Sequence, residues 1–186
     1  SKIIIIFMNI NSLRVFDIKP NSINGGSMRY FICHKDSKYK NKQKIISSIT
    51  KQEKKLKLDS VNTYYKFFKK INSVKMKLKN LLKVITNKKL TIHGYGASTK
   101  GNVLLQYFGL TNKFIPYIAD RNPQKFNSYT PGTKIKIISE SFSRKLKPDY
   151  YLVLPWHFKN EILKREVKIR KKGTKFIFPL PNLKVL

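Results

Sequence analysis

Apolar and polar positions fall into three regimes along the chain. Over residues 1–35, two short runs rich in β-branched and aromatic residues, SLRVFDI and MRYFICHK, flank the stretch KPNSINGGS. Its Pro, Asn and tandem Gly mark a turn, so the pattern predicts a β-hairpin. A hairpin alone is barely stable in water, so this zone needs further partners. The opening SKIIIIFMNI reads as a buried strand or a helix end. Its apolar run is too short to span a bilayer and carries no small-residue cleavage site. With no initiator methionine, the chain is expected to begin within a longer protein.

From Val61 the period changes. Val61, Tyr64, Tyr65, Phe68, Ile71, Val74, Leu78, Leu81, Leu82 and Ile85 recur at three- and four-residue intervals, which predicts an amphipathic helix of about seven turns. Lysines fall mostly between these positions, so residues 36–89 are expected to be a lysine-rich helical connector. A solvated outer face is the plain reading of those lysines. A surface for nucleic acid or membrane is the alternative.

Residues 90–186 alternate in period again. KLTIHGYG, KFIPYIAD, TKIKIIS, PDYYLVLPW and TKFIFPLP read as five strands. ASTKGNVLLQYFG reads as a helix ending at Gly109, and FKNEILKREVKIRKKG as one ending at Gly173, glycine being a natural helix stop. Strand, glycine turn, helix and strand in succession imply βαβ units and a parallel sheet. The expected fold class is α/β: a Rossmann-like parallel-sheet domain, preceded by a long basic helix and a short β-rich segment.

Composition narrows the functional classes. A chain of 186 residues that is 41% hydrophobic has enough apolar material for a core, which argues against global disorder. Forty Lys and Arg against nine Asp and Glu give a formal charge of +31. The excess is overwhelmingly lysine. Recognition of phosphate or bases by geometry favours the arginine fork, so surface lysines set by residue usage are the simpler account and nucleic-acid binding the weaker one. Cys33 is the only cysteine. It forms no internal disulfide and belongs to no CxxC metal pair, which suits a reducing, cytoplasmic setting.

Candidate chemistry centres on His93-Gly94-Tyr95-Gly96-Ala97-Ser98-Thr99-Lys100-Gly101, where such a sheet makes its first strand-to-helix crossing. Glycines there permit a tight turn, and a helix N-terminus offers N–H groups to an anion. Thr99 stands where a dinucleotide motif requires glycine, and Asn102 and Val103 follow Gly101 where a P-loop requires Lys and Ser or Thr. Neither NAD binding nor ATP hydrolysis is supported. Ser98, Thr99 and Lys100 are placed to hold a phosphate or a sugar hydroxyl, unless Ser98 merely caps the helix. Asp120 either holds a ribose hydroxyl or caps the DRNPQK turn. His157, beside Trp156, follows the fourth strand, and a lone histidine there is more often a packing residue. The same holds for His34 and His93. Three scattered histidines and one cysteine make no metal site.

The blocks INGGSMRYFICHK, GYGASTKGNVLLQYFGL, YIADRNPQKFNSYTPGTKIKI, KPDYYLVLPWHFKNEIL and GTKFIFPLP occur in that order. Together they resemble the C-terminal portion of the bacterial sugar C-methyltransferase family, over residues 12–182 and most strongly from residue 90. The resemblance implies an enzyme that methylates a carbon of a nucleoside-diphosphate-linked keto-sugar with S-adenosylmethionine (SAM). In that chemistry a base removes a proton beside the ketone, and the enolate takes the sulfonium methyl in line. The family has a cysteine-rich zinc domain, a SAM-binding domain and a C-terminal domain of this kind. This sequence has no cysteine cluster, no glycine-rich SAM motif near its start and no Glu-His pair of the family's type. The resemblance therefore makes residues 1–35 the end of the methyltransferase domain and assigns SAM and the catalytic residues to a separate or upstream part. It leaves nucleotide-sugar binding here, with no metal. The implied substrate contacts are Asn24, Ser27, Tyr95, Ser98 and Lys100, with Gly94, Gly96, Asp120 and His157 as further candidates. Arg29 either neutralises phosphate or pins its turn. The alternatives are a non-catalytic nucleotide-sugar-binding module and, less favoured, a basic nucleic-acid-binding protein.

Overall fold

Residues 1–186 are described by a computed structural model, which divides into two units, Ser1–Lys69 and Lys70–Leu186. In the first unit, strands β1 (Leu13–Asn21) and β2 (Ser27–His34) pair antiparallel, as the turn residues predict, with a register shift between Val15 and Asp17. Three successive positive φ values, 53° at Asn24, 85° at Gly25 and 128° at Gly26, explain the Asn-Gly-Gly run, since few other residues enter that region without strain.

The opening segment is helix α1 (Lys2–Ile10), and none of its residues is buried. Four consecutive isoleucines cannot share one face of a helix. Ile4, Ile5 and Met8 pack on the Val15, Ile18 and Ile46 core, while Ile3 and Ile10 are 81% and 76% exposed. The connector holds two helices where the pattern predicted one: α2 (Gln43–Lys55), which supplies Ile46, and α3 (Val61–Asn87).

The apolar stripe of α3 divides. Val74, Leu78, Leu82 and Ile85 are buried, whereas Val61, Tyr64, Tyr65 and Phe68 are exposed. Only the later positions lie against a sheet. That sheet, in the second unit, has the order β5-β4-β3-β6-β7-β8. Strands β3 (Ile92–Tyr95), β4 (Tyr117–Asp120), β5 (Lys136–Ser139), β6 (Tyr150–Val153) and β7 (Lys175–Phe178) are parallel, and β8 (Lys184–Val185) closes the edge antiparallel.

Parallel strands covered on both faces must be apolar on both, and these are. Ile92, Ile118, Leu152 and Ile177 pack with the buried stripe of α3 and with Leu104, Leu105 and Phe108 of α4 (Thr99–Phe108). Tyr95, Ala119, Tyr151, Val153 and Phe176 face the other way. They pack with Ile162 and Leu163 of α6 (Lys159–Arg165) and Ile169 of α7 (Val167–Lys171). Helix α5 (Glu140–Lys145) lies against β4 and β5.

All five predicted strands are shorter than expected and the last helix is split in two; the causes are plain at three of these places. The second strand starts at Tyr117, because Pro116 has no N–H for the ladder and the amides of Phe114 and Ile115 already donate to the Thr111 carbonyl. The third starts at Lys136, because Thr130, Pro131, Gly132 and Thr133 form a closed turn. In it Thr130 N donates to the Ile135 carbonyl and the Thr130 and Thr133 hydroxyls lie 2.7 Å apart. The last helix breaks at Glu166, which sits between α6 and α7 with φ −98° and ψ 22°.

Candidate functional site

The strand order reverses at β3, which has β4 on one side and β6 on the other. Chains leaving neighbouring strands in opposite directions open a crevice at the carboxyl edge, where open α/β sheets place their ligands. A cleft of about 330 Å³ lies there, bounded by Tyr95 and Gly96 after β3, Asp120 after β4, Pro155 after β6 and Arg165 on α6.

The glycine turn forms one wall. A Cβ at Gly94 would stand 2.6 Å from Ile118 Cγ1, and one at Gly101 would stand 2.5 Å from Leu154 Cβ. These two glycines let β4 and α4 approach closely. Gly96 has φ +80°, and a Cβ there would meet Pro155 at 2.8 Å. The amides of the turn are engaged within the protein. Gly96 N donates to Ala119 O at 2.7 Å, Ala97 N to Asp120 Oδ2 at 2.7 Å, Ser98 N to Gly96 O at 2.8 Å and Gly101 N to Ser98 Oγ at 3.1 Å.

Behind Tyr95 lies a charged network. The phenol donates to Glu166 Oε1 at 2.5 Å and accepts from the Arg165 guanidinium, whose centre sits 5.5 Å from the ring centroid. Arg144 Nη2 donates to Glu166 at 2.8 Å and to Glu140 at 2.9 Å, and Arg165 Nη2 reaches Glu140 at 2.9 Å. Glu166 is 2% exposed, so its pairing is necessary: an unpaired carboxylate there would lose its hydration without return. Burial holds the Tyr95 phenol above its ordinary pKa, with its donation to Glu166 acting the same way against the Arg165 contact. The phenol is therefore a proton donor to Glu166 across the working pH range.

A second buried chain runs along the same sheet face. His93 Nδ1 and Ser143 Oγ lie 2.8 Å apart, as do Ser143 Oγ and the Tyr151 hydroxyl. Burial lowers the His93 pKa to about 4, so the imidazole is neutral near pH 7 and each group finds a partner. No cluster of three His, Cys, Asp or Glu side chains is placed to hold a metal ion. No helix is long and apolar enough to cross a membrane.

A family model described as the C-methyltransferase C-terminal domain matches residues 22–181. The chain belongs to this family. C-methyltransferase NovU of Streptomyces niveus is 28% identical over 176 residues, covering 95% of this chain and 42% of NovU. The chain thus spans less than half the length of that relative.

Within this C-methyltransferase C-terminal domain, Tyr95, Gly96, Ser98 and Asp120 come together around the cleft. Their polar groups also serve the fold. The Tyr95 hydroxyl is held by Glu166 and Arg165, and Ser98 caps α4. Asp120 accepts from Ala97 N and from Asn122 N at 2.8 Å, and pairs with Lys125 at 3.4 Å. Lys100 is exposed on the first turn of α4. Gly94 is buried in packing against β4 and lies outside the cleft wall. His157 also lies outside the wall, with a buried, unpartnered Nδ1 and a ring 4.4 Å from that of Phe158. Partial burial, then the charge of Lys100, lowers its pKa.

Asn24 and Ser27 belong to the first unit. Asn24 forms the tip of the hairpin turn, and the Ser27 hydroxyl donates to Ile23 O at 3.1 Å. Arg29 and His34 are exposed on β2. Arg121, Lys125, Glu140, Glu161 and Arg165 line the cleft, with Glu166 held by Tyr95, and none is among the candidates the sequence supplied. Their signal was scarcity. Acids number nine in the whole chain, and Asp120, Glu140, Glu161 and Glu166 converge here.

Proposed function

We propose that this chain is the C-terminal part of a SAM-dependent C-methyltransferase acting on a nucleoside-diphosphate-linked keto-sugar, and that Lys70–Leu186 holds the nucleotide-sugar. In this reading residues 1–35 end the methyltransferase domain, residues 36–89 are a basic helical connector, and residues 90–186 are a Rossmann-like domain. The observation that carries it is the coincidence of the family match over residues 22–181 with a cleft at the reversal of strand order.

Tyr95, Gly96 and Ser98 form the cleft wall against the ligand, and the exposed Lys100 supplies a point positive charge for its diphosphate. Asn24 and Ser27 on the hairpin turn, with Gly94, Asp120 and His157, are kept as secondary candidates whose first duties are to turns and packing.

SAM is assigned to a separate or upstream methyltransferase domain. Asp120, the acid that ends β4 where a ribose would be bound, has its carboxylate held by two backbone amides and Lys125, which supports placing the cofactor elsewhere. The lone Cys33 suits a cytoplasmic setting.

A thermal-shift titration with dTDP, a dTDP-sugar, SAM and a DNA duplex tests the reading. A ligand that binds only the folded state raises its melting temperature by mass action. The expected result is stabilisation by the dTDP-sugar and not by SAM. Stabilisation by DNA at low salt with none by any nucleotide would overturn the reading in favour of a basic nucleic-acid-binding surface.

A further inference from the structure

The charge of the cleft is at odds with the charge of the chain. Forty basic residues face nine acids overall, yet the cleft is lined by three of each: Arg121, Lys125 and Arg165 against Asp120, Glu140 and Glu161. Most of these are already neutralised. Lys125 pairs with Asp120, and Arg165 pairs with Glu140 and Glu166. That leaves Arg121, after β4, and Glu161, on α6, as the lining charges without an ion pair, one of each sign.

A diphosphate held by this cleft would need unneutralised cations or open backbone amides. Neither is offered. The amides of Gly96, Ala97, Ser98 and Gly101 are all engaged internally, and an unpaired carboxylate stands in the wall. A carboxylate and a guanidinium lining one cleft without pairing to each other are instead well matched to hydroxyl groups, which donate to one and accept from the other. Beside the glycine turn and Ser98, the uncharged lining is apolar: Phe158, 40% exposed, with Pro155 and Ile162. An exposed aromatic side chain in the same lining suits the C–H face of a saturated ring.

Building on the nucleotide-sugar reading, we propose that the cleft binds an uncharged, hydroxyl-bearing ring of the ligand, pentose or hexose, with Glu161 accepting from its hydroxyls and Arg121 donating to them. The diphosphate then lies outside the cleft.

Calorimetric titration of the full chain with dTDP and with dTDP-glucose tests this in the unaltered protein, in Glu161→Gln and in Asp36→Asn, which removes an exposed acid of the first unit as a control for bulk charge. Glu161 is exposed, so its substitution leaves the fold intact. The sign of the effect decides. Loss of a carboxylate that accepts from a hydroxyl weakens binding about tenfold, whereas loss of one beside a diphosphate tightens it. Weakening of dTDP-glucose alone identifies the hexose, and equal weakening of both ligands identifies the pentose. Tighter binding, or affinity unchanged from that of the control, overturns the inference. Failure of the unaltered chain to bind either ligand removes the nucleotide-sugar reading itself, and this proposal with it.

Discussion

Acid should weaken the second unit through His93 in a way that can be isolated. The imidazole is 4% exposed, its Nδ1 is 2.8 Å from Ser143 Oγ, and burial lowers its pKa from 6.5 to about 4. Because the folded value lies below the unfolded one, the unfolded chain binds the extra proton. The contribution is therefore fully present above the unfolded pKa and is lost as pH falls from 6.5 towards 4. Within that window stability drops with a limiting slope of about 1.4 kcal/mol per pH unit. By about pH 5 the accumulated loss is about 2 kcal/mol relative to pH 7.5. Chemical denaturation at a series of pH values, on the unaltered chain and on His93→Gln, measures it. Carboxylates common to both proteins titrate equally, so the difference between the two curves belongs to His93. The curves should diverge by about 2 kcal/mol across this range, with the unaltered protein showing the steeper fall. Parallel curves would refute the argument, since they would mean that the imidazole takes up its proton without leaving its place under α5.

Two further outcomes follow from packing and pairing in the same unit. Gly101→Ala gains up to about 1 kcal/mol of helix propensity but drives its Cβ into Leu154 Cβ, which is fixed to the backbone and cannot swing away, for a net loss of about 1–2 kcal/mol; stability equal to or above that of the parent in urea denaturation would contradict the close α4–sheet approach. Glu166→Ala strands the buried Tyr95 hydroxyl, while Arg144 and Arg165, whose side chains are 37% and 39% exposed, keep Glu140; the expected cost is about 2–3 kcal/mol, and Glu166→Gln, which retains an acceptor, should lose visibly less in the same measurement.

The sequence determined by itself that residues 90–186 build a parallel α/β sheet. The strands are apolar on both faces, and the glycines stand where β3 turns into α4, so period and punctuation pointed one way. It also carried the hairpin, because Asn24, Gly25 and Gly26 occupy φ values that few other residues tolerate. The family blocks were likewise legible, since they depend on order along the chain and on nothing else.

Which half of the α3 stripe is buried was not legible. Tyr64 and Phe68 have the same spacing as Leu78 and Leu82, and only the sheet beneath the later turns tells them apart. The break at Glu166 was hidden for a related reason: a charged residue in a helical pattern reads as solvent-facing until Tyr95, Arg144 and Arg165, far away in sequence, close over it. The candidate site divides in the same way. Tyr95, Gly96, Ser98 and Asp120 were visible because a turn motif binds them into a local pattern. Nothing in their local surroundings marks Arg121, Glu140, Glu161 or Arg165 as facing a cleft. Strand order alone brings the ends of β3, β4 and β6 and one face of α6 to a single crevice, and with them the balance of charge that decides what the crevice can hold.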